Sequence, residues 1–231
     1  MDSFGASQPR MHQPPPATDG RVYSCAEQRV DSAIHWAGLL VATLAVPALI
    51  WVAARQGIDP AHGPAILASL IYGATLLAML GASALYNLSR GSGLGWLYRR
   101  LDHSAIFLKI AGTYTPFTLI TGQGLWVMAG LWGAALFGVV LKCISPMRFR
   151  AIGLVLYLGM GWGGVLILPD LLASLPPATV TLMVLGGLGY TFGVGFYLWT
   201  RLPFHYAIWH LHVLGASMLF YAAVLVLVLS L

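Results

Sequence analysis

Seven apolar runs follow one another along the chain, at about 31–54, 64–88, 102–121, 124–143, 151–169, 178–200 and 206–230. A hydrocarbon core of roughly 30 Å takes about 20 helical residues, which each run supplies or nearly supplies. The runs are continuous and lack the alternation of lipid-facing and lumen-facing positions of a membrane strand, which sets a barrel aside. The pattern predicts an all-α integral membrane protein, a seven-transmembrane-helix bundle over residues 27–231. The stretch 1–26 is of another kind, with Pro14, Pro15 and Pro16 among Gln, Ser, Asp and Gly. It reads as a disordered tail, and no apolar core of a secretory signal precedes the first run.

Composition supports the class: of 231 residues, 58% are apolar and 8% charged, with a mean hydropathy of +0.80. That is too apolar for a water-soluble domain of this size, so the expected surroundings are the lipid bilayer. The 12 basic residues outnumber the 7 acidic ones. In a soluble chain that surplus would suggest nucleic acid, but here the basic residues sit in short connections and act as topology determinants, so no nucleic-acid partner is expected. On one side stand Arg10, Arg21, Arg29, Arg90, Arg99, Arg100, Lys142, Arg148, Arg150 and Arg201; the other side has Arg55. The positive-inside bias then places the N-terminus in the cytoplasm and Leu231 outside. Cys25 and Cys143 fall on the reducing side, where no disulfide is expected.

This topology gathers polar residues at one depth. His35 begins the first span, Ser83 and Asn87 end the second, Asp102 and His103 begin the third, and His205, His210 and His212 begin the seventh. Ionisable groups inside a bundle are expensive and usually mark a metal or catalytic site, although His, Trp and Tyr also settle at the headgroup interface. Helical spacing favours the site. Ser83 and Asn87 share a face, as do Asp31 and His35, a pair able to hold the imidazole in one orientation. Asp102, Ile106, Lys109, Thr113 and Pro116 form one sector, and His210, Ser217 and Tyr221 another. Both sectors should point into the bundle, since lipid does not accept a polar stripe. Glycine pairs at i, i+4 (Gly159 and Gly163, Gly189 and Gly193) suggest close helix packing. The Gly-x-Gly triplets are not phosphate loops, because no strand precedes them.

The stretches "LDHSAIFLKIAGTYTPF" (101–117), "EQRVDSAIHWAG" (27–38), "SALYNL" (83–88) and "PFHYAIWHLHV" (203–213) resemble the bacterial hemolysin III family, a branch of the progestin and adipoQ receptor group. The resemblance runs from about Glu27 to the end. It implies a seven-helix bundle with its N-terminus inside, in a bacterial cytoplasmic membrane. It further implies a zinc ion near the cytoplasmic face, held by one histidine of a Ser-x-x-x-His pattern and two of a His-x-x-x-His pattern, with the aspartate of the third span holding a zinc-bound water. Three neutral nitrogens leave a tetrahedral position open for that water, whose proton a carboxylate can take. Some relatives are described as ceramidase-like amide hydrolases and others as receptors; the bacterial branch is named for a haemolytic phenotype.

Carried over residue by residue, the resemblance breaks at the metal. Ser83 and Asp102 are in place, as is His210, but the other two ligand positions hold Asn87 and Tyr206. His205 is the substitute considered for Tyr206. A pair at i, i+5 is about 140° apart on a helix, so His205 and His210 reach one ion only across an irregular start, which Pro203 permits. Lys109 is the second departure. It lies roughly 10 Å deeper than Asp102 on nearly the same meridian, and a side chain leaning toward the helix N-terminus would carry its ammonium back toward that acid, in place of the missing ion.

Two readings follow. The first is a non-enzymatic membrane protein with a degenerate metal site (His210, His205), receptor-like, pore-related or cytolytic in the sense of the family name, with a lipid ligand in its bundle. The other is a zinc-dependent intramembrane hydrolase of a lipid amide, with Asp102 as base and Ser83 as its support.

Overall fold

The computed structural model describes residues 23–56, 63–89, 93–167 and 169–231, with backbone alone for 164–167. The tail therefore lies outside the described residues up to residue 22. Among the described residues there is no strand, and the helices are α1 (Cys25–Gln56), α2 (Gly63–Leu88), α3 (Gly95–Thr121), α4 (Leu125–Ile144), α5 (Arg150–Ile167), α6 (Pro169–Ser174), α7 (Pro177–Leu198) and α8 (His205–Leu229). Seven of these match the seven apolar runs. Five, namely α1, α2, α4, α7 and α8, are long and apolar enough by themselves to cross a membrane.

The boundaries that moved have local causes. α1 starts at Cys25, inside the expected tail, because Ser24 and Glu27 form a capping box. Glu27 N donates to Ser24 Oγ at 3.2 Å, and Ser24 N donates to Glu27 Oε2 at 2.8 Å, satisfying two otherwise orphaned donors. α3 starts at Gly95, about two turns before the expected 102, so Arg99 and Arg100 belong to the helix. Within the fifth run the described residues carry α5 to Ile167 and the short α6 from Pro169 to Ser174. The turn between α3 and α4 places Gly122 and Gly124 at φ 69°, where a Cβ would be strained.

The helices pack in chain order around a ring that α8 closes against α1, and α3 also touches α5, α6 and α8. α3 is the inner helix: every residue from Ala111 to Thr118 is buried. A helix shielded from lipid on most of its circumference can carry the polar and charged residues that keep it out of the strongly apolar set. The outward faces of the others are apolar, with Leu40, Leu44, Leu136, Phe137, Val155 and Phe192 all exposed, the surface a bilayer covers. Trp51, Trp96, Trp126 and Trp199 are exposed near helix ends, as interfacial anchors are. Trp162 and Trp209 turn to neighbouring helices instead. Trp162 donates to Thr191 Oγ1 at 3.0 Å, and Trp209 packs against Gly193.

Candidate metal centre

The polar layer assembles at the end of the bundle where α1, α3, α5 and α8 begin and α2, α4 and α7 end. Asp31, His35 and His210 are all buried there, and one ligand atom from each lies within 4.8 Å of the others. A tetrahedral ion with bonds of about 2.0–2.2 Å spaces its donors by roughly 3.3 Å, within reach of small side-chain rotations. The i, i+4 spacing of Asp31 and His35 acts through the backbone. His35 Nδ1 sits 2.8 Å from the Asp31 carbonyl oxygen, whereas the nearer carboxylate oxygen is 3.9 Å away. A proton on Nδ1 donated to that carbonyl leaves the Nε2 lone pair facing inward, the tautomer that metal-binding imidazoles adopt. Nε2 is met by the Ser83 hydroxyl at 3.2 Å and the Asn87 amide at 3.3 Å. The Asp31 carboxylate turns instead to α8, where Oδ1 lies 2.5 Å from His210 Nδ1, a short, charge-assisted contact. The His35 and His210 rings meet edge to face at 4.4 Å between centroids.

The residues singled out in the sequence thus fare differently. His210 is in the centre. His205 is not: its Nε2 is 2.9 Å from the Tyr23 hydroxyl and its Nδ1 is 3.3 Å from the Phe196 carbonyl oxygen. The irregular backbone ends at Phe204 and His205 is already the first residue of α8, so the i, i+5 separation from His210 holds. Tyr206 stacks edge to face on His210 at 4.5 Å, filling the place of the expected ligand. Asn87 donates back to the Ser83 carbonyl at 2.9 Å. The ligand set implied by the resemblance therefore does not fit, while Asp31, His35 and His210 of α1 and α8 are the group whose ligand atoms lie close enough to be a candidate. Asp102 is buried beside Ser83 and His210.

Lys109 corrects the other expectation. Its ammonium donates to Thr113 Oγ1 at 2.5 Å and lies 4.3 Å from the centroid of the Tyr72 ring. It points away from Asp102, because a hydroxyl one turn on and an aromatic face on α2 solvate it where lipid and helix do not.

Two features escaped sequence reading. Asp31 meets His210 only because α8 lies against α1; its pairing with His35 was the available signal. The first turn of α1 also clasps the start of α8. Glu27 Oε1 accepts from Phe204 N at 2.9 Å, and Phe204 is the single non-glycine residue at positive φ (58°) among the described residues. The capping box Ser24-x-x-Glu27 was the signal for that clasp.

A cavity beside the centre is lined by residues of α1, α2, α3, α4, α5, α7 and α8. Asp102, His210 and Ser83 stand at its polar end, and Trp162, Tyr190 and Phe220 line its apolar depth.

Comparison with known proteins agrees with this architecture. The haemolysin-III related family matches residues 23–221. The Hemolysin-3 homolog of Bacillus subtilis (strain 168) is 35% identical over 207 residues, covering 88% of this chain and 95% of that protein. Hemolysin-3 of Bacillus cereus is 35% identical over 206 residues, covering 88% and 92%. The helical bundle, the polar layer and these matches together establish that the chain is an integral membrane protein belonging to the haemolysin-III related family.

Proposed function

We propose that this chain is a non-enzymatic binding protein of the bacterial cytoplasmic membrane. In this reading Asp31, His35 and His210 hold a divalent cation at the cytoplasmic side, and the cavity beside them takes a lipid chain. The carrying observation is the origin of the three donors: all come from the first and last helices, whose seam closes the ring. An ion there ties α1 to α8 and stabilises the assembled bundle, as structural metal sites do. Two imidazoles and one carboxylate suit zinc.

The second reading, a zinc-dependent hydrolase of a lipid amide, is favoured by Asp102 lying beside Ser83 and His210 on the cavity wall. Three protein donors leave one coordination position open, and a bound ion would supply a water of lowered pKa. Asp102 would take its proton, with Ser83 holding the carboxylate.

Metal analysis of the chain purified without chelator tests the first reading. We expect about one zinc per chain, lost in His210→Ala and in His35→Ala and kept in His205→Ala, whose buried ring lies outside the centre. A wild-type protein without metal would overturn it. Release of fatty acid from a long-chain N-acyl amide, abolished by Asp102→Asn with zinc retained, would replace it by the hydrolase.

A further inference from the structure

One part of the cavity wall is cationic. It is built from Lys142 at the end of α4, Arg150 at the start of α5 and His103 of α3. Lys142 is only 3% exposed and donates to the carbonyls of Pro146 at 3.3 Å and Phe149 at 3.2 Å. An ammonium has three donors, so one N–H remains for the cavity. Its seat depends on Gly153, where an added Cβ would stand 2.6 Å from Lys142 Nζ. The Arg150 guanidinium lies 4.9 Å from the centroid of the Tyr197 ring, a stack that leaves its N–H edge available to an anion. His103 Nδ1 and Arg99 Nε are buried and have no hydrogen-bond partner, and Arg99, Lys142 and Arg150 group around His103. Among the described residues no carboxylate pairs with Lys142, Arg99 or Arg150.

Buried donors and cations without a counter-charge are costly, so such a cluster calls for an anion. Donors converging from three helices match the oxygens of a phosphate better than the two coplanar oxygens of a carboxylate. Next to the cluster the cavity becomes apolar along Leu154, Leu158 and Trp162. Its volume of about 190 Å³ exceeds the ~150 Å³ engineered cavity that holds benzene and suits one alkyl chain, not two.

We propose that the cavity binds a single-chain phosphate monoester amphiphile drawn from the bilayer, its phosphate on Lys142, Arg150 and His103 and its chain toward Trp162. This rests on the lipid-binding part of the proposed function and is independent of the metal.

The test uses the full chain in nanodiscs of phosphatidylcholine, with dodecyl phosphate, the neutral monododecanoyl glycerol and inorganic phosphate as probes. Dodecyl phosphate should bind at least tenfold more tightly than the neutral amphiphile, and inorganic phosphate far more weakly than either. Arg150→Gln and Lys142→Gln should each cost about tenfold in affinity for dodecyl phosphate. Because Lys142→Gln also removes bonds that end α4, Gly153→Ala serves as the second arm: it keeps every charge, displaces the ammonium and should weaken binding similarly. Equal binding of the two amphiphiles, or binding unchanged in all three variants, overturns the phosphate assignment alone. Inorganic phosphate binding as tightly as dodecyl phosphate overturns the role of the chain. No binding of either amphiphile overturns this inference and the lipid-binding reading together.

Discussion

α5 and α7 carry the same kind of glycine pattern and do opposite things with it. On α7, a Cβ at Gly186 would stand 2.7 Å from the Phe220 ring and one at Gly193 would stand 2.9 Å from His212 Cβ, so these glycines let α8 approach closely. On α5, a Cβ at Gly159, Gly161 or Gly163 would meet nothing within 4 Å. Small residues permit close approach, and a neighbour's bulk decides whether it happens. The tight side of the ring, α1, α7 and α8, brings two imidazoles and a carboxylate within 4.8 Å of one another. On α5, Gly159 and Gly161 are exposed and leave open space, while Gly153 seats Lys142 of the cationic wall. Precision and access are thus assigned to different walls of one bundle.

Disrupting the tight wall should have the largest effect. Asp31→Ala leaves the His210 ring without its 2.5 Å partner and is expected to cost about 3–5 kcal/mol, as breaking a buried pair does. Thermal melting in detergent should show a large drop, and an unchanged midpoint would remove Asp31 from the seam. Gly186→Ala drives a methyl into Phe220 and should cost about 1–3 kcal/mol by overpacking. Gly159→Ala, with open space around it, should change stability by less than about 1 kcal/mol and toward greater stability, since alanine is the better helix former. If both glycine variants lose the same amount, α5 is packed as tightly as α7 and the contrast between the walls fails.

Much of the architecture was legible because helical periodicity is local. The inward sector of α3 is as read, with Asp102, Lys109, Thr113 and Pro116 buried, and Ser217 of the α8 stripe bonds Tyr190 at 2.7 Å. Tyr221, on the same stripe, donates to the Ala45 carbonyl at 2.7 Å. The ends of elements were less legible: a Ser24 to Glu27 capping box outweighed the polar composition before α1. The centre itself was half legible. His210 lies beside Asp31, whereas His205 points to Tyr23 and Phe196, and the spacing of Asp31 to His35 does not announce the contact with His210 across the seam. Lys109 shows the same limit, since the lean of helical side chains yields to a nearby hydroxyl and an aromatic face.

The sequence by itself determined the class, the positions of seven long helices, the polar character of their inner faces and the family. These follow from apolar run length and a repeat of 3.6 residues, which need no knowledge of neighbours. Only the tertiary structure decided which donors share a point in space, which glycines are filled by a neighbour, and where a buried ammonium finds its partners. Those depend on how one helix is rotated and seated against another, a quantity set by packing across the ring rather than along the chain.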